Sequence, residues 1–126
     1  MVAVDTNVVV RLFIRDDEPQ VAIAEEFIQK GGWVSYIVVV EMAWVLGGTY
    51  GLSDAEIARI VEMLLEHDKL TLQDSDTVAA ALDHYRRKPS LGLADCLILE
   101  IARKAGHLPL GTFDRDLAKL PSAHRL

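Results

Sequence analysis

The chain has 126 residues, which fits one domain of 1–126 that is large enough to bury a real hydrophobic core. A hydrophobic content of 51% and a charged content of 25% exclude a disordered chain. No apolar stretch reaches the roughly 20 residues of a membrane helix, and the single cysteine, Cys96, excludes an internal disulfide. The formal net charge of −6 argues against a nucleic-acid binder that relies on a basic surface. We therefore expect a cytoplasmic globular protein.

The N-terminal half alternates between short apolar strands and helical patterns. Ile37–Val40 is ambiguous, because a β-branched run favours a strand but also suits a buried helix. The predicted elements, in chain order, are a strand over Val2–Val4, a helix over Asn7–Ile14 capped by Asp5 or Thr6, a helix that begins near Pro19 and ends at Gly31-Gly32, a strand over Trp33–Tyr36, and a helix that carries Glu41 in its first turns and ends near Gly47-Gly48.

The C-terminal half continues the same alternation. Ser53-Asp54-Ala55-Glu56 is a capping box, and apolar residues at helical spacing follow it. The remaining predictions are a strand over Lys69–Leu72, a helix capped within Asp74–Asp76, a break at Pro89-Ser90, a helix over Leu91–Lys104 that stops at Gly106, a strand over Leu108–Phe113, a short helix over Asp116–Leu120, and an edge strand over His124–Leu126. Such alternation predicts an α/β fold of three layers, α/β/α, with a central, mainly parallel sheet of four to five strands.

Four carboxylates stand beside or within apolar runs. Asp5 follows Val2–Val4, Glu41 follows Ile37–Val40, Asp95 lies within 93–99, and Asp114 follows 108–113. Burying a bare carboxylate is costly, so such groups are usually paired or bound to a metal. The carboxyl ends of parallel strands share one edge of a sheet, where ligands bind. The four acids therefore suggest one shared cation site.

A carboxylate cluster of this kind points to a particular chemistry. Carboxylate oxygens and water suit Mg²⁺ or Mn²⁺. Such an ion can lower the pKa of a bound water, orient a phosphate and neutralise a leaving oxygen. Because no arrangement of Ser, Cys or His suggests a nucleophile, the pattern favours metal-dependent hydrolysis of phosphodiester bonds. For any single acid, a helix cap or a solvated charge would be the simpler interpretation.

The acidic segments, in their order and spacing, resemble the motifs of the PIN domain, and more narrowly those of VapC-like toxins of VapBC toxin–antitoxin pairs. The resemblance rests on Val2–Asn7, 38–41, 93–98 and 111–116, and it covers nearly the whole chain. It implies an RNA-cleaving enzyme with a magnesium cofactor, an antitoxin partner and a homodimer. It also implies that the catalytic and metal-binding acids are Asp5, Glu41, Asp95 and Asp114.

Several further residues are candidates for supporting roles. Asp116 matches an acid present in some PIN members, and we expect it to act beside Asp114 or as a helix cap. Thr6, Asn7 and Thr112 match polar positions near the metal. The candidates for contacts with RNA phosphates are Arg11, Arg15, Arg86, Arg87 and Lys88.

Three alternatives stay open at this point. Haloacid-dehalogenase-like phosphatases also place Asp after a first strand, but they need a second Asp where this chain has Asn7, and they need a lysine motif that is absent. A non-catalytic module could use the acids to bind a basic partner. A PIN nuclease could also process RNA as a housekeeping enzyme rather than act as a toxin.

Overall fold

The computed structural model describes all residues 1–126 and divides into two compact units, Met1–Ser75 and Asp76–Leu126. We call them the N-terminal unit and the C-terminal unit. None of the helices combines the length and the hydropathy that crossing a membrane requires. The single-domain prediction stays a prediction.

The N-terminal unit contains a three-stranded parallel sheet in the order β1-β2-β3. In its register, Val2 lies opposite Gly32, and Gly32 lies opposite Leu70. The elements of this unit are β1 (Val2–Ala3), α1 (Thr6–Phe13), α2 (Glu18–Phe27), β2 (Gly32–Val34), α3 (Tyr36–Gly48), α4 (Asp54–Glu66) and β3 (Leu70–Leu72).

The four helices of this unit begin at side chains that accept main-chain hydrogen bonds. The carboxylates of Asp5 and Asp17 cap α1 and α2, and the hydroxyls of Ser35 and Ser53 cap α3 and α4. Each cap satisfies an amide that the first helical turn leaves without a partner. At Ser53 the predicted capping box is complete, since the Glu56 carboxylate also accepts a hydrogen bond from the Ser53 amide.

Helix α3 lies at the centre of the N-terminal unit and packs against α1 and α4. Its side chains Val39, Met42 and Leu46 have no exposed surface. Val9 and Val10 of α1 are likewise buried. The ambiguous run 37–40 is therefore helical, because a capping serine precedes it and its apolar residues fill the core.

The C-terminal unit contains two helices and a two-stranded parallel sheet, β4-β5. Gly92 precedes α6 with φ = 76°, and Gly106 ends it with φ = 82°, two conformations that favour glycine. Its elements are α5 (Ser75–Arg87), a 3₁₀ turn (Pro89–Leu91), α6 (Leu93–Ala105), β4 (Leu110–Thr112), a second 3₁₀ turn (Leu117–Lys119) and β5 (Ala123–Arg125).

The predicted α/β class and the parallel strands are confirmed, because strands alternate with helices and every strand pair is parallel. The five strands pair as a three-stranded and a two-stranded sheet, whereas one sheet of four to five strands was expected. Three local predictions are wrong. Helix α2 ends at Phe27, and Gly32 belongs to β2 instead of ending that helix. Strand β2 ends at Val34, because Ser35 caps α3 and draws Tyr36 into the helix. The helical spacing of Val21, Ala24, Phe27 and Ile28 also predicts one apolar face on α2, but Phe27 is 53% exposed.

Candidate active site

Asp5 lies between β1 and α1 and is exposed. Its Oδ1 atom accepts a hydrogen bond of 3.2 Å from the amide of Val8, so the carboxylate is held at the N-terminus of α1. This hydrogen bond satisfies an amide that the first turn of the helix leaves without a partner. Thr6 and Asn7 follow within the first turn of α1, and Asn7 is exposed.

Glu41 is exposed on α3, in the second turn of that helix. The prediction that Glu41 lies in the first turns of a helix is therefore confirmed, and the ambiguous run that precedes it is part of the same helix. Trp44, one turn further along α3, is 65% exposed, and Ile37, one turn earlier, is also exposed. Aromatic residues of this kind are usually core residues, but some form partner surfaces, and Trp44 does not lie in the core.

Asp95 is half-buried in the first turn of α6. Burial raises the pKa of its carboxyl above the usual range, and the negative charge of Asp114 raises it further. The two acids of the C-terminal unit therefore interact electrostatically. Keeping the carboxylates of Asp95 and Asp114 both ionised is unfavourable at these positions, and a bound cation would reduce their repulsion.

Asp114 is exposed, and hydrogen bonds fix its orientation at the end of β4. Its Oδ1 atom accepts from the amides of Asp116, at 2.8 Å, and Leu117, at 2.9 Å. Its own amide donates to Oγ1 of Thr112 at 3.0 Å. Thr112 thus holds the main chain at Asp114, and the Asp114 carboxylate caps the 3₁₀ turn that follows.

Asp116 has a different role from the predicted helix cap. It makes no capping hydrogen bond from its side chain, because Asp114 already occupies that position. Its Oδ1 atom instead accepts a hydrogen bond of 3.0 Å from Nζ of Lys88 and lies 3.6 Å from Nζ of Lys119. The hydrogen bond from Lys88 and the charges of both lysines hold the pKa of Asp116 below its usual range.

The basic candidates differ in how firmly the protein holds them. Arg11 donates to the hydroxyl of Tyr50 at 2.8 Å and to Oε1 of Gln20 at 2.6 Å, and the contact with Tyr50 raises its pKa. Arg15 pairs with Glu25 at 2.5 Å. Arg86 and Arg87 are exposed in the last turn of α5, and Lys88 follows them.

A mostly apolar groove of about 360 Å³ lies between α1 and α2 in the N-terminal unit. Asn7 and Arg11 of α1 line it together with Val8, and the exposed side chains of Ile23 and Phe27 line it from α2. The groove thus places an apolar surface beside a candidate site residue, Asn7.

The burial expected for the four acids is wrong for three of them, since Asp5, Glu41 and Asp114 are exposed. The structure does not bring three or more His, Cys, Asp or Glu side chains into an arrangement that could hold a metal ion. The donor chemistry still fits a hard cation, because Mg²⁺ is usually bound by one or two carboxylates and keeps several waters. The interacting pair Asp95 and Asp114 meets that smaller requirement.

The sequence interpretation missed the one carboxylate that is buried. Glu100 of α6 is only 7% exposed. Its Oε1 atom lies 2.7 Å from Nε2 of His84, and its Oε2 accepts from Nε of Arg103 at 3.0 Å. Arg103 also donates to the hydroxyl of Ser122 at 3.2 Å. The signal that selected Asp95, an acid within an apolar run, applies equally to Glu100 after 97–99.

The sequence matches the PIN domain family over residues 2–123, which takes in parts of both units. The chain belongs to the PIN domain family. A comparison with curated proteins found no match. This membership and the parallel strands confirm the predicted PIN-like α/β/α fold class. PIN domains are generally nucleases and typically use divalent metal ions, so the chain has a nuclease-type fold.

Proposed function

We propose that this PIN domain is an endoribonuclease that hydrolyses RNA phosphodiester bonds with Mg²⁺, or Mn²⁺ in its place. The observation that carries the proposal is the interacting pair Asp95 and Asp114 in a chain of a nuclease family. When bound, the metal would supply an activated water and would neutralise charge on the phosphate. RNA as the substrate and magnesium as the ion are parts of the proposal.

Asp95 and Asp114 are the residues that we expect to hold the metal in the C-terminal unit. Asp114 is already oriented by the amides of Asp116 and Leu117, so its binding loses little conformational freedom. Asp95 is restrained by its position in the first turn of α6. The raised pKa of Asp95 is a second argument, because a metal would remove the cost of keeping both groups ionised.

Asp5 and Glu41 are proposed as the other two catalytic and metal-binding acids. The amide of Val8 orients Asp5, and both side chains are exposed and so accessible to an ion or its waters. Thr6, Asn7, Thr112 and Asp116 would support these acids. Thr112 would do so by accepting the hydrogen bond from the amide of Asp114, which holds the main chain at that acid.

The same proposal assigns the phosphate contacts. Arg87 and Lys88 are the stronger candidates, because Arg87 is exposed and Lys88 is held near the end of β4 by Asp116. Arg86 and Arg15 are further candidates on exposed surface. Arg11 is the weakest, because its guanidinium is committed to Tyr50 and Gln20.

We also propose that the nuclease is the toxin of a type II pair and that a VapB-like antitoxin inhibits it. The net charge of −6 favours encounter with a basic partner, and an arginine from that partner could pair with the exposed acids. The groove at Ile23 and Phe27 offers an apolar surface for the same partner. A homodimer is part of this proposal. Co-expression with the protein encoded next to this chain should yield a stable complex that does not cleave RNA.

The nuclease proposal is tested with the purified chain, free of any partner, and a mixture of single-stranded RNAs. We expect cleavage in Mg²⁺ or Mn²⁺, loss of cleavage in excess EDTA, and recovery when excess Mg²⁺ is added back. A contaminating metal-independent ribonuclease would persist in EDTA and is thereby distinguished. Full activity in EDTA would exclude the proposed chemistry.

A non-catalytic acidic module is the second candidate, because the exposed carboxylates of Asp5, Glu41 and Asp114 could pair with a basic partner. It predicts binding of a basic partner with no RNA cleavage under any metal condition. A housekeeping nuclease predicts metal-dependent cleavage, no inhibitory neighbour, and harmless expression of the free chain. The cleavage and co-expression experiments therefore distinguish the three functions.

A further inference from the structure

Phe113 is the most exposed large apolar side chain of the protein, with 80% of its surface accessible. It lies between Thr112, the last residue of β4, and Asp114, a proposed metal ligand. A folded protein usually buries an aromatic ring of this size. Its exposure beside a proposed catalytic acid therefore suggests that the ring contacts a ligand.

The main chain on both sides of Phe113 is fixed. The carbonyl of Thr112 accepts a hydrogen bond of 2.9 Å from the amide of Leu126, which secures the end of β4. The amide of Asp114 donates to the hydroxyl of Thr112 at 3.0 Å, and the Asp114 carboxylate accepts from two further amides. The ring is thus displayed from a restrained backbone, which lowers the entropic cost of binding to it.

The surroundings of the ring favour a nucleic acid over a protein surface. The next residues are Asp114, Arg115 and Asp116, and charged residues are depleted at the core of protein–protein interfaces. Arg115 is exposed and could contact a phosphate. Single-stranded RNA is recognised largely by stacking of its unpaired bases on aromatic side chains.

We propose that Phe113 stacks on a nucleobase of single-stranded RNA next to the phosphate at Asp114. The inference rests on the proposed nuclease function and adds a residue that determines how the substrate is placed. Consecutive Cα atoms are about 3.8 Å apart, so Phe113 can contact a base while a metal held by Asp114 binds the phosphate of a neighbouring nucleotide. Because every base has a flat face, this contact holds the strand with little sequence preference.

The test compares Phe113→Leu and Phe113→Ala with Phe113→Trp, which keeps an aromatic face. Met63→Ala is the control, because it removes an exposed apolar side chain from α4, a helix with no proposed site acid. The probe is a short single-stranded RNA that carries 2-aminopurine, bound in EDTA, and kcat and KM are then measured in Mg²⁺. We expect Phe113→Leu and Phe113→Ala to raise Kd and KM about 5- to 150-fold, the range that base stacking gives.

The fluorescence of 2-aminopurine reports stacking directly. Binding to the wild type, Phe113→Trp and Met63→Ala should quench it, and binding to Phe113→Leu should not. If Phe113→Leu keeps the wild-type Kd and quenching, the inference is wrong, although cleavage by the wild type would still support the nuclease function. If Phe113→Leu instead only weakens self-association in sedimentation experiments, the ring belongs to an interface between copies, and the inference is also overturned. Absence of cleavage by the wild type would count against the nuclease function, and the binding data would still decide the role of Phe113.

Discussion

Asp114 acts on Asp95 through its charge and adds to the effect of burial in raising the pKa of the Asp95 carboxyl. The carboxyl groups of Glu56 and Asp116, in contrast, have pKa values that their hydrogen-bond partners hold below the usual range. Other carboxylates are stabilised by main-chain hydrogen bonds, for example at the N-termini of α1 and α4. The repulsion between Asp95 and Asp114 is therefore a local cost, and a bound cation would offset it.

Asp95→Asn should raise the melting temperature of the protein in EDTA at neutral pH. A raised pKa in the folded state means that ionised Asp95 opposes folding once the pH exceeds its pKa in the unfolded chain. Replacement by Asn removes that opposition, and the difference from the wild type should vanish at a pH low enough to protonate Asp95 in both states. Differential scanning calorimetry at several pH values measures the effect. A variant that melts below the wild type in EDTA at pH 7 would contradict the assignment.

Glu100→Leu should destabilise the protein by about 1 to 2 kcal/mol, since it leaves the part-buried His84 without its carboxylate partner, whereas the exposed Arg103 can be solvated. Glu100→Gln keeps an acceptor and should cost less. Urea unfolding followed by circular dichroism gives both values. Equal stability of Glu100→Leu and the wild type would show that the three side chains do not act together.

Ser53→Ala should lower the free energy of unfolding by about 1 kcal/mol, because it removes the hydroxyl that caps α4 at the amide of Glu56. Ser90→Ala is a suitable control, since Ser90 is exposed in a 3₁₀ turn that has no side-chain cap. The same urea titration measures both variants. If the two changes cost the same, the capping box does not contribute to stability.

Cys96 should react very slowly with thiol reagents in the folded protein. Burial, and then the negative charge of Asp95, raises the pKa of its thiol to about 11, so almost none of it is thiolate at pH 8. A disulfide exchange reagent should modify Cys96 rapidly only after unfolding, and the folded-state rate should rise with pH up to about pH 11. Fast labelling of the native protein at pH 8 would be inconsistent with this environment.

The sequence predicts the α/β alternation because its local signals agree with the tertiary structure. The capping box at Ser53 and the glycine stop at Gly106 both act where they were expected. The run 37–40 could not be assigned, since β-branched residues suit a strand, and the Ser35 cap together with packing in the core makes the run helical. The sequence does not predict the exposure of Trp44 either, because α3 is apolar on nearly every side and has no polar face that would mark the solvent side.

The candidate acids could be selected from sequence, but their surroundings could not. An acid next to an apolar run is compatible with a cap, as at Asp5, with a half-buried site, as at Asp95, or with a buried ion pair, as at Glu100. These outcomes depend on partners that come from other elements, such as His84 of α5. The ion pair between Asp116 and Lys88 likewise joins residues far apart in the chain, and no local pattern predicts it.

The measurement that tests the central claim most directly is the rate of RNA cleavage by Asp95→Asn in saturating Mg²⁺. Asp68→Asn is the matched control, since the Asp68 side chain is 88% exposed and Asp68 is not a proposed site residue. Loss of a metal-binding carboxylate should cost several kilocalories per mole of transition-state stabilisation, a rate decrease of at least about 100-fold. We expect that decrease in Asp95→Asn while its circular dichroism stays that of the wild type, and an unchanged rate in Asp68→Asn. A folded Asp95→Asn variant that cleaves RNA at the wild-type rate would contradict the account.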